Sequence, residues 1–398
     1  MQKLSAYFLA VTILVATGLA QGSRKIGDVT VVVDSQTIPI RISGSTKELQ
    51  TLALTALSAH GRYDVSGRRP PAYDFKFTAV AATQVRVEIT RGAAAVAVGT
   101  ETLAGSSLRQ ALLKAADVAV TKTNGLGLRG FFTGRLAFLS QRTGKSEVYT
   151  SDLFFGEARQ LTRDASLALS PRWAPDGSRI IYTGYFKTGS PDIFLLDPVS
   201  GKKDTFASFR GTNSGARFSP NGQQVAMILT GEGNSEIYIS NAQGRQPARK
   251  TRSTEVKSSP CWSPDGSQLV FAMGEPTPQL YVMSVAGGAP RRAASGYTYM
   301  AEPDWSRADR NKIVCTVRVP GGKYQVAVVD LASGQVKVVS KAAFDAVEPS
   351  WLADGRHVVC TVRDKRSSVL SILDTETGSS YQLSPSDVAA FQAGVWTP

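Results

Sequence analysis

From about residue 134 to the C-terminus, short apolar runs alternate with polar breaks rich in glycine and proline, and the alternation is periodic. Four segments read small or apolar, aromatic, tight turn, then a β-rich run. They are Pro171-Arg172-Trp173-Ala174-Pro175-Asp176-Gly177, Ala216-Arg217-Phe218-Ser219-Pro220-Asn221-Gly222, Pro260-Cys261-Trp262-Ser263-Pro264-Asp265-Gly266 and Pro349-Ser350-Trp351-Leu352-Ala353-Asp354-Gly355. A fifth, Pro303 to Asp309 around Trp305, has a degraded turn. The aromatic positions 173, 218, 262, 305 and 351 are spaced by 45, 44, 43 and 46 residues, and Trp396 arrives 45 later. A second marker keeps the same beat: Glu147-Val148-Tyr149, Asp192-Ile193-Phe194, Glu236-Ile237-Tyr238, Gln279-Leu280-Tyr281, Gln325-Val326-Ala327 and Val369-Leu370-Ser371, each leading to a polar turn.

Four strands of about 6 residues with four connections of about 4 to 5 make a unit of about 44, which is one four-stranded propeller blade. Proline presets φ in the turn, aspartate caps it, and glycine takes the conformation other residues resist. Each aromatic just before the turn is expected to wedge between adjacent blades. The first hairpin, Gly134 to Leu139 with Glu147 to Asp152, has no aromatic strand before it, and Trp396 has no hairpin after it. The C-terminal strand, about 390–396, is therefore expected to complete blade 1, which removes two open sheet edges and gives six blades.

Residues 29–128 carry a different pattern. Val29 to Val33 and Ile38 to Ile42 read as strands. A helix opens on a capping box from Ser45 to Glu48, carries Leu49, Leu52, Ala53, Ala56 and Leu57 on one face, and stops at Gly61. Strand readings follow at Tyr73 to Ala79, Gln84 to Thr90 and Ala94 to Leu103. A second amphipathic helix begins near Ser106 and carries Leu108, Ala111, Leu112, Ala115 and Ala119. Glycines 125, 127 and 130 mark the hinge into the repeats. The expected organisation is two-domain: a small N-terminal α/β domain over 21–128, followed by a six-bladed all-β propeller over 129–398 closed by the C-terminal strand.

Residues 1–20 stand apart. Lys3 is followed by an apolar run from Leu4 to Ala20 ending in small residues, which reads as a signal peptide cleaved after Ala20; an uncleaved anchor is the alternative. No later stretch is apolar enough to span a bilayer. The formal charge of the 398-residue chain is +13, or +12 without Lys3, and a basic surplus suits acidic surfaces. No basic run forms a nucleic-acid arm, and nucleic acid is not expected as a partner. Cys261, Cys315 and Cys360 are too few for a disulfide framework, and all three read as small buried hydrophobes.

Catalytic signatures are sparse. The two histidines, His60 at a helix end and His357 beside a blade turn, have no metal-ligand spacing and read as surface or turn residues. There is no Gly-x-Ser-x-Gly elbow and no phosphate loop. Gly125-x-Gly127-x-x-Gly130 matches a dinucleotide fingerprint by letter but follows a helix rather than a strand. Asp176, Asp265 and Asp354 are turn formers before they are metal ligands. No cofactor and no catalytic residue is expected; a channel-bound metal ion stays an open alternative.

An α/β domain before six aromatic-Ser-Pro-Asp-Gly-type repeats, the junction Lys122-Thr123-Asn124-Gly125 to Gly130-Phe131-Phe132-Thr133-Gly134-Arg135-Leu136-Ala137-Phe138 and the ending Trp396-Thr397-Pro398 resemble the TolB family. The resemblance implies a monomeric, non-enzymatic periplasmic protein of the Tol-Pal envelope system. It would bind a peptidoglycan-associated lipoprotein on one propeller face and meet Tol membrane proteins through its N-terminal segment. With the aromatic strand innermost, the loops feeding it open on one face of the channel, and they carry Asp164, Asn213, Glu255, Tyr299, Glu302, Asp345 and Glu348. That rim is the expected binding face, although Glu302 and Glu348, each just before a proline, also read as structural repeat residues. The competing functional class is a propeller enzyme or carbohydrate-binding protein acting on an anionic polysaccharide.

Overall fold

The computed structural model describes residues 21–26, 29–34, 37–124, 130–187 and 189–398. The signal segment 1–20 and hinge glycines 125 and 127 lie outside the described residues. Residues 1–37 cluster as one compact unit and residues 38–398 as a second. In the first, β1 (Gln21–Ile26) and β2 (Val29–Asp34) pair antiparallel. The expected domain over 21–128 therefore encloses a hairpin that clusters separately.

In the second unit, five strands form a mixed sheet: β3 (Ile38–Gly44), β4 (Tyr63–Asp64), β5 (Tyr73–Ala81), β6 (Gln84–Arg91) and β7 (Val96–Ala104), in the spatial order β4-β3-β5-β6-β7. β3 runs parallel to both its neighbours because α1 (Lys47–His60) intervenes before β4 and β5. The cap of α1 is Thr46, whose Oγ1 accepts from Leu49 N at 3.3 Å, one residue later than the expected Ser45. Ser45 instead accepts the Ala79 amide at 3.0 Å and ties the helix entrance to β5. Gly61, at φ 71°, ends the helix as expected. Ser107 caps α2 (Leu108–Thr123), its side chain accepting from Gln110 N. Ala53, Ala56, Leu57, Ala111, Leu112, Ala115 and Ala119 pack with Phe75, Phe77, Val85 and Val87 in a core that is 0 % exposed. Small helical residues let the backbones approach the sheet, and the phenylalanines fill the space they leave.

Among the described residues, six four-stranded antiparallel sheets follow. Blade 1 has the order Arg159–Gln160, Glu147–Asp152, Arg135–Ser140, Ala390–Trp396, with Trp396 opposite Arg135 and Val395 opposite Leu136. The expected closure is therefore the observed one. Blades 2 to 6 begin with inner strands Ala168–Trp173, Asn213–Phe218, Lys257–Trp262, Met300–Trp305 and Asp345–Trp351. The aromatics bridge neighbours as expected. Trp262 packs on Ile228 and Ile237 of blade 3, Trp305 on Val270 and Val282 of blade 4, and Trp351 on Val314 and Val326 of blade 5. The Trp262 indole also donates to Arg217 O at 3.0 Å and the Trp396 indole to Pro175 O at 2.9 Å, each across a blade boundary.

The second sequence marker has a structural cause. Glu147, Glu236 and Gln325 accept hydrogen bonds from the outer-strand exit loops, at Thr162 Oγ1, Thr251 Oγ1 and Ser340 Oγ respectively. The same hydroxyls accept from Val148 N, Ile237 N and Val326 N at 2.8–2.9 Å, so each hydroxyl both donates and accepts at the exit.

The α/β domain packs on blades 1 and 6 at the end of the strands that carries the Trp-x-Pro turns. Asp117 of α2 accepts Phe131 N, Phe132 N, Thr133 N and Thr133 Oγ1, and Arg109 forks onto Asp152 at 2.8 and 3.1 Å. One continuous core runs from Leu57 and Ala119 through Phe131 and Phe132 to Leu370 and Leu383. Among the described residues no helix is long and apolar enough to cross a membrane.

Candidate functional site

Each inner strand breaks register once against its neighbour, between Leu169 and Arg172, Ser214 and Arg217, Ser258 and Cys261, Ala301 and Asp304, Val347 and Ser350, and Phe391 and Gly394. At each break one residue is left-handed: Ser170, Gly215, Ser259, Glu302, Glu348 and Gln392, with φ from 49° to 63°. A bulge re-aims the side chains around it, and a left-handed non-glycine residue costs about 1 kcal/mol or more, so five of them in register, with Gly215 at the remaining break, mark a constraint imposed by the ring. These residues line a cavity of about 90 Å³ on the side of the feeding loops. Two residues farther on, Arg172, Arg217, Cys261, Asp304 and Ser350 line a second cavity of about 90 Å³ on the side of the tryptophan turns. Arg172 and Arg217 border both cavities and form the waist between them.

The waist is charged. Arg217 Nη1 reaches Asp304 Oδ1 at 2.6 Å and Cys261 Sγ at 2.6 Å, and the other Asp304 oxygen accepts from Trp351 N at 2.7 Å. Burial opposes the Arg217 charge, but Cys261 and Asp304 outweigh it and hold the guanidinium ionised. Cys315 and Cys360 are buried free thiols as expected; Cys261 is buried and free too, but it is a polar contact of the channel rather than a plain hydrophobe. Arg172 donates from Nη1 to Pro171 O at 2.9 Å and makes no ion pair among the described residues. Burial, and then the charge of Arg217, lower its pKa to about 10.

The seven expected rim residues lie in, or just inside, the feeding loops but do different work. Asp164 binds Lys203 and the Tyr182 hydroxyl. Asn213 is fully buried and closes its own loop through Phe209 N, Phe209 O and Gly211 O. Glu255 is exposed. Asp345 accepts Tyr324 N at 2.9 Å, and Tyr299 meets Tyr324 edge-on with ring centroids 5.0 Å apart. Glu302 Oε2 accepts Thr316 Oγ1 at 2.6 Å and Glu348 N at 2.9 Å. Glu348 accepts Thr361 Oγ1, Gln392 N and Gln392 Nε2. Burial, followed by the Glu348 charge, raises the Glu302 pKa, and burial followed by Glu302 raises that of Tyr299 to about 12. The structure thus gathers Tyr299, Glu302, Asp345 and Glu348 on blades 5 and 6 and leaves Asp164, Asn213 and Glu255 on other blades.

Sequence reasoning missed Arg172, Arg217 and Asp304. A signal was present: the residue just before each wedge aromatic is polar at Arg172, Arg217, Asp304 and Ser350. The histidines depart from expectation too. Both are 0 % exposed, with ring centroids 4.7 Å apart. Their ring nitrogens and an Asp354 oxygen lie within 4.8 Å of one another. His357 Nδ1 is already 2.5 Å from Asp354 Oδ2 and its Nε2 2.8 Å from His60 O, so both ring nitrogens face protein oxygens and the group forms a hydrogen-bonded clasp.

Comparison with known proteins places this geometry. Residues 125–398 match the family described as TolB beta propeller domain. A protein TolB homolog of Chlorobium luteolum is 30% identical over 42% of this chain and 37% of its own length. The Tol-Pal system protein TolB of Desulfosudis oleivorans is 34% identical over 32% of this chain and 28% of its own. The matched stretches thus span about a third of those relatives. The crystal structure of TolB from Acinetobacter baumannii superposes with a TM-score of 0.81 at 23% identity, covering 95% of this chain and 99% of that one.

Proposed function

The chain belongs to the TolB β-propeller family, and on that footing we propose that it is an exported, periplasmic scaffold of a Tol-Pal envelope system. In this reading it captures a peptidoglycan-associated lipoprotein on the rim around the feeding loops and meets Tol membrane proteins through its N-terminal segment. The lysine and apolar run at residues 3–20 support export, and the Tol-Pal name of the Desulfosudis relative supports the system.

The observation that carries the binding reading is the waist of the channel. Arginines divide it into two cavities of about 90 Å³ each, well under the roughly 300–1,000 Å³ of ordinary ligand pockets. A folded macromolecule does not fit cavities of that size and would engage the rim instead. On that rim Tyr299 and Tyr324 offer an edge-to-face aromatic pair beside Asp345, the kind of anchor that dominates protein interfaces.

The test is calorimetric titration of the mature protein with the soluble domain of the peptidoglycan-associated lipoprotein from the same organism. Tyr299→Ala combined with Tyr324→Ala is expected to weaken binding by roughly thirtyfold, about 2 kcal/mol, with the melting temperature unchanged. Absence of binding by the wild type overturns the lipoprotein as partner, and full affinity in the double variant overturns the rim.

A further inference from the structure

We infer that the waist of the channel is a binding site for a small oxyanion, a carboxylate or phosphate group, held by Arg172. Closing six blades brings one position per repeat to the same level: Arg172, Arg217, Cys261, Asp304, Ser350 and Gly394. Two are cations and one is an anion. Asp304 is consumed, one oxygen by Arg217 and the other by Trp351 N. Among the described residues Arg172 makes a single hydrogen bond, to the carbonyl of the residue before it.

A guanidinium carries five N–H donors in a flat fork matched to an oxyanion. Arg172 is part-buried at the waist and faces the charge of Arg217 with no carboxylate hydrogen-bonded to it among the described residues, so an oxyanion entering there would supply the missing counter-charge. The chain makes room for it: a Cβ on Gly394 would stand 3.2 Å from Arg172 Cδ and 2.6 Å from Pro171 O. Glu348 lies near enough to act on Arg172 through space, but both of its oxygens are engaged by Thr361 and Gln392. Arg307 adds a third cation to the lining of the tryptophan-side cavity. That cavity, at about 90 Å³, has room for several waters and so for a phosphate or carboxylate group. The site is separate from the rim and does not depend on the partner proposed there.

Thermal unfolding of the mature protein, titrated with sodium phosphate or sodium acetate at ionic strength held constant with sodium chloride, tests the assignment. A saturable rise in melting temperature is expected with at least one of the two, and which one identifies the oxyanion. Arg172→Gln is expected to lose the rise while melting no lower than the anion-free wild type, because it removes an uncompensated charge. No saturable rise in the wild type overturns the site, as does an equal rise in Arg172→Gln. Should that variant fail to fold, Arg172→Lys serves: it keeps the charge and loses the fork, and must weaken the effective anion at least tenfold, an unchanged midpoint overturning the assignment.

Discussion

The Nε2 atom of His357 lies 2.8 Å from the carbonyl oxygen of His60, joining the second strand of blade 6 to the last residue of α1. That carbonyl is at the negative end of the helix, where the final C=O groups have no partner within the helix. On its other side His357 Nδ1 meets Asp354, which also caps its own turn through Arg356 N and His357 N. Both ring contacts are to oxygen, so His357 spans from its own blade turn to the end of α1. Arg356 forks onto Asp374 beside them, both 3 % exposed, and Glu376 reaches the same guanidinium. The α/β domain is thereby clasped to the propeller through a buried charged network.

Removing one member should therefore cost far more than a surface substitution. Asp354→Asn keeps the turn cap but takes a carboxylate out of the buried network around His357 and Arg356, and is expected to lower unfolding free energy by about 3 kcal/mol. Urea denaturation of the variant against the wild type measures this; a loss within the ±0.5 kcal/mol typical of surface changes would mean the clasp contributes nothing.

His60 sets a pH dependence. It has 0 % exposure, its two ring nitrogens have no hydrogen-bond partner among the described residues, and it packs against Phe131 and Phe132. Burial first, and then the neighbouring His357, hold its pKa well below the ordinary 6.5. The unfolded chain takes up this proton near pH 6.5 and the folded protein does not, so the contribution of His60 is complete above about pH 6.5 and falls as pH drops below it. Melting temperature should decline from pH 7 to pH 5 more steeply in the wild type than in His60→Leu, the difference in stability approaching at most about 1.4 kcal/mol per pH unit. Parallel profiles would contradict this.

Closure of the ring can be tested at one glycine. Gly177 has φ +70°, and a Cβ there would lie 2.3 Å from Trp396 Cζ2; Gly201 has φ +72° with nothing within 4 Å. Both alanine variants bear the left-handed strain of about 1 kcal/mol. Gly177→Ala must also displace the terminal tryptophan and should cost about 1–3 kcal/mol more. Equal losses would show that Trp396 is not seated against the turn of blade 2.

Blade number, wedge aromatics, turns and ring closure were legible from residues alone, because each is written locally and then repeated: Pro-Asp-Gly sets a turn wherever it stands, and a missing strand at one end answers a spare one at the other. The rim was legible in part. Glu302 and Glu348 could be placed at the mouth of the channel, but whether their oxygens face a partner or are spent on Thr316, Thr361 and Gln392 could not. His60 and His357, 297 positions apart, read as unrelated until the α/β domain docked on blade 6. Arg172 and Asp304 likewise looked like ordinary strand residues. Only when six strands converge on one axis does Arg217 take the single carboxylate at its level and leave Arg172 without one. Charge balance across a closed ring is a property of the ring, and no stretch of sequence contains it.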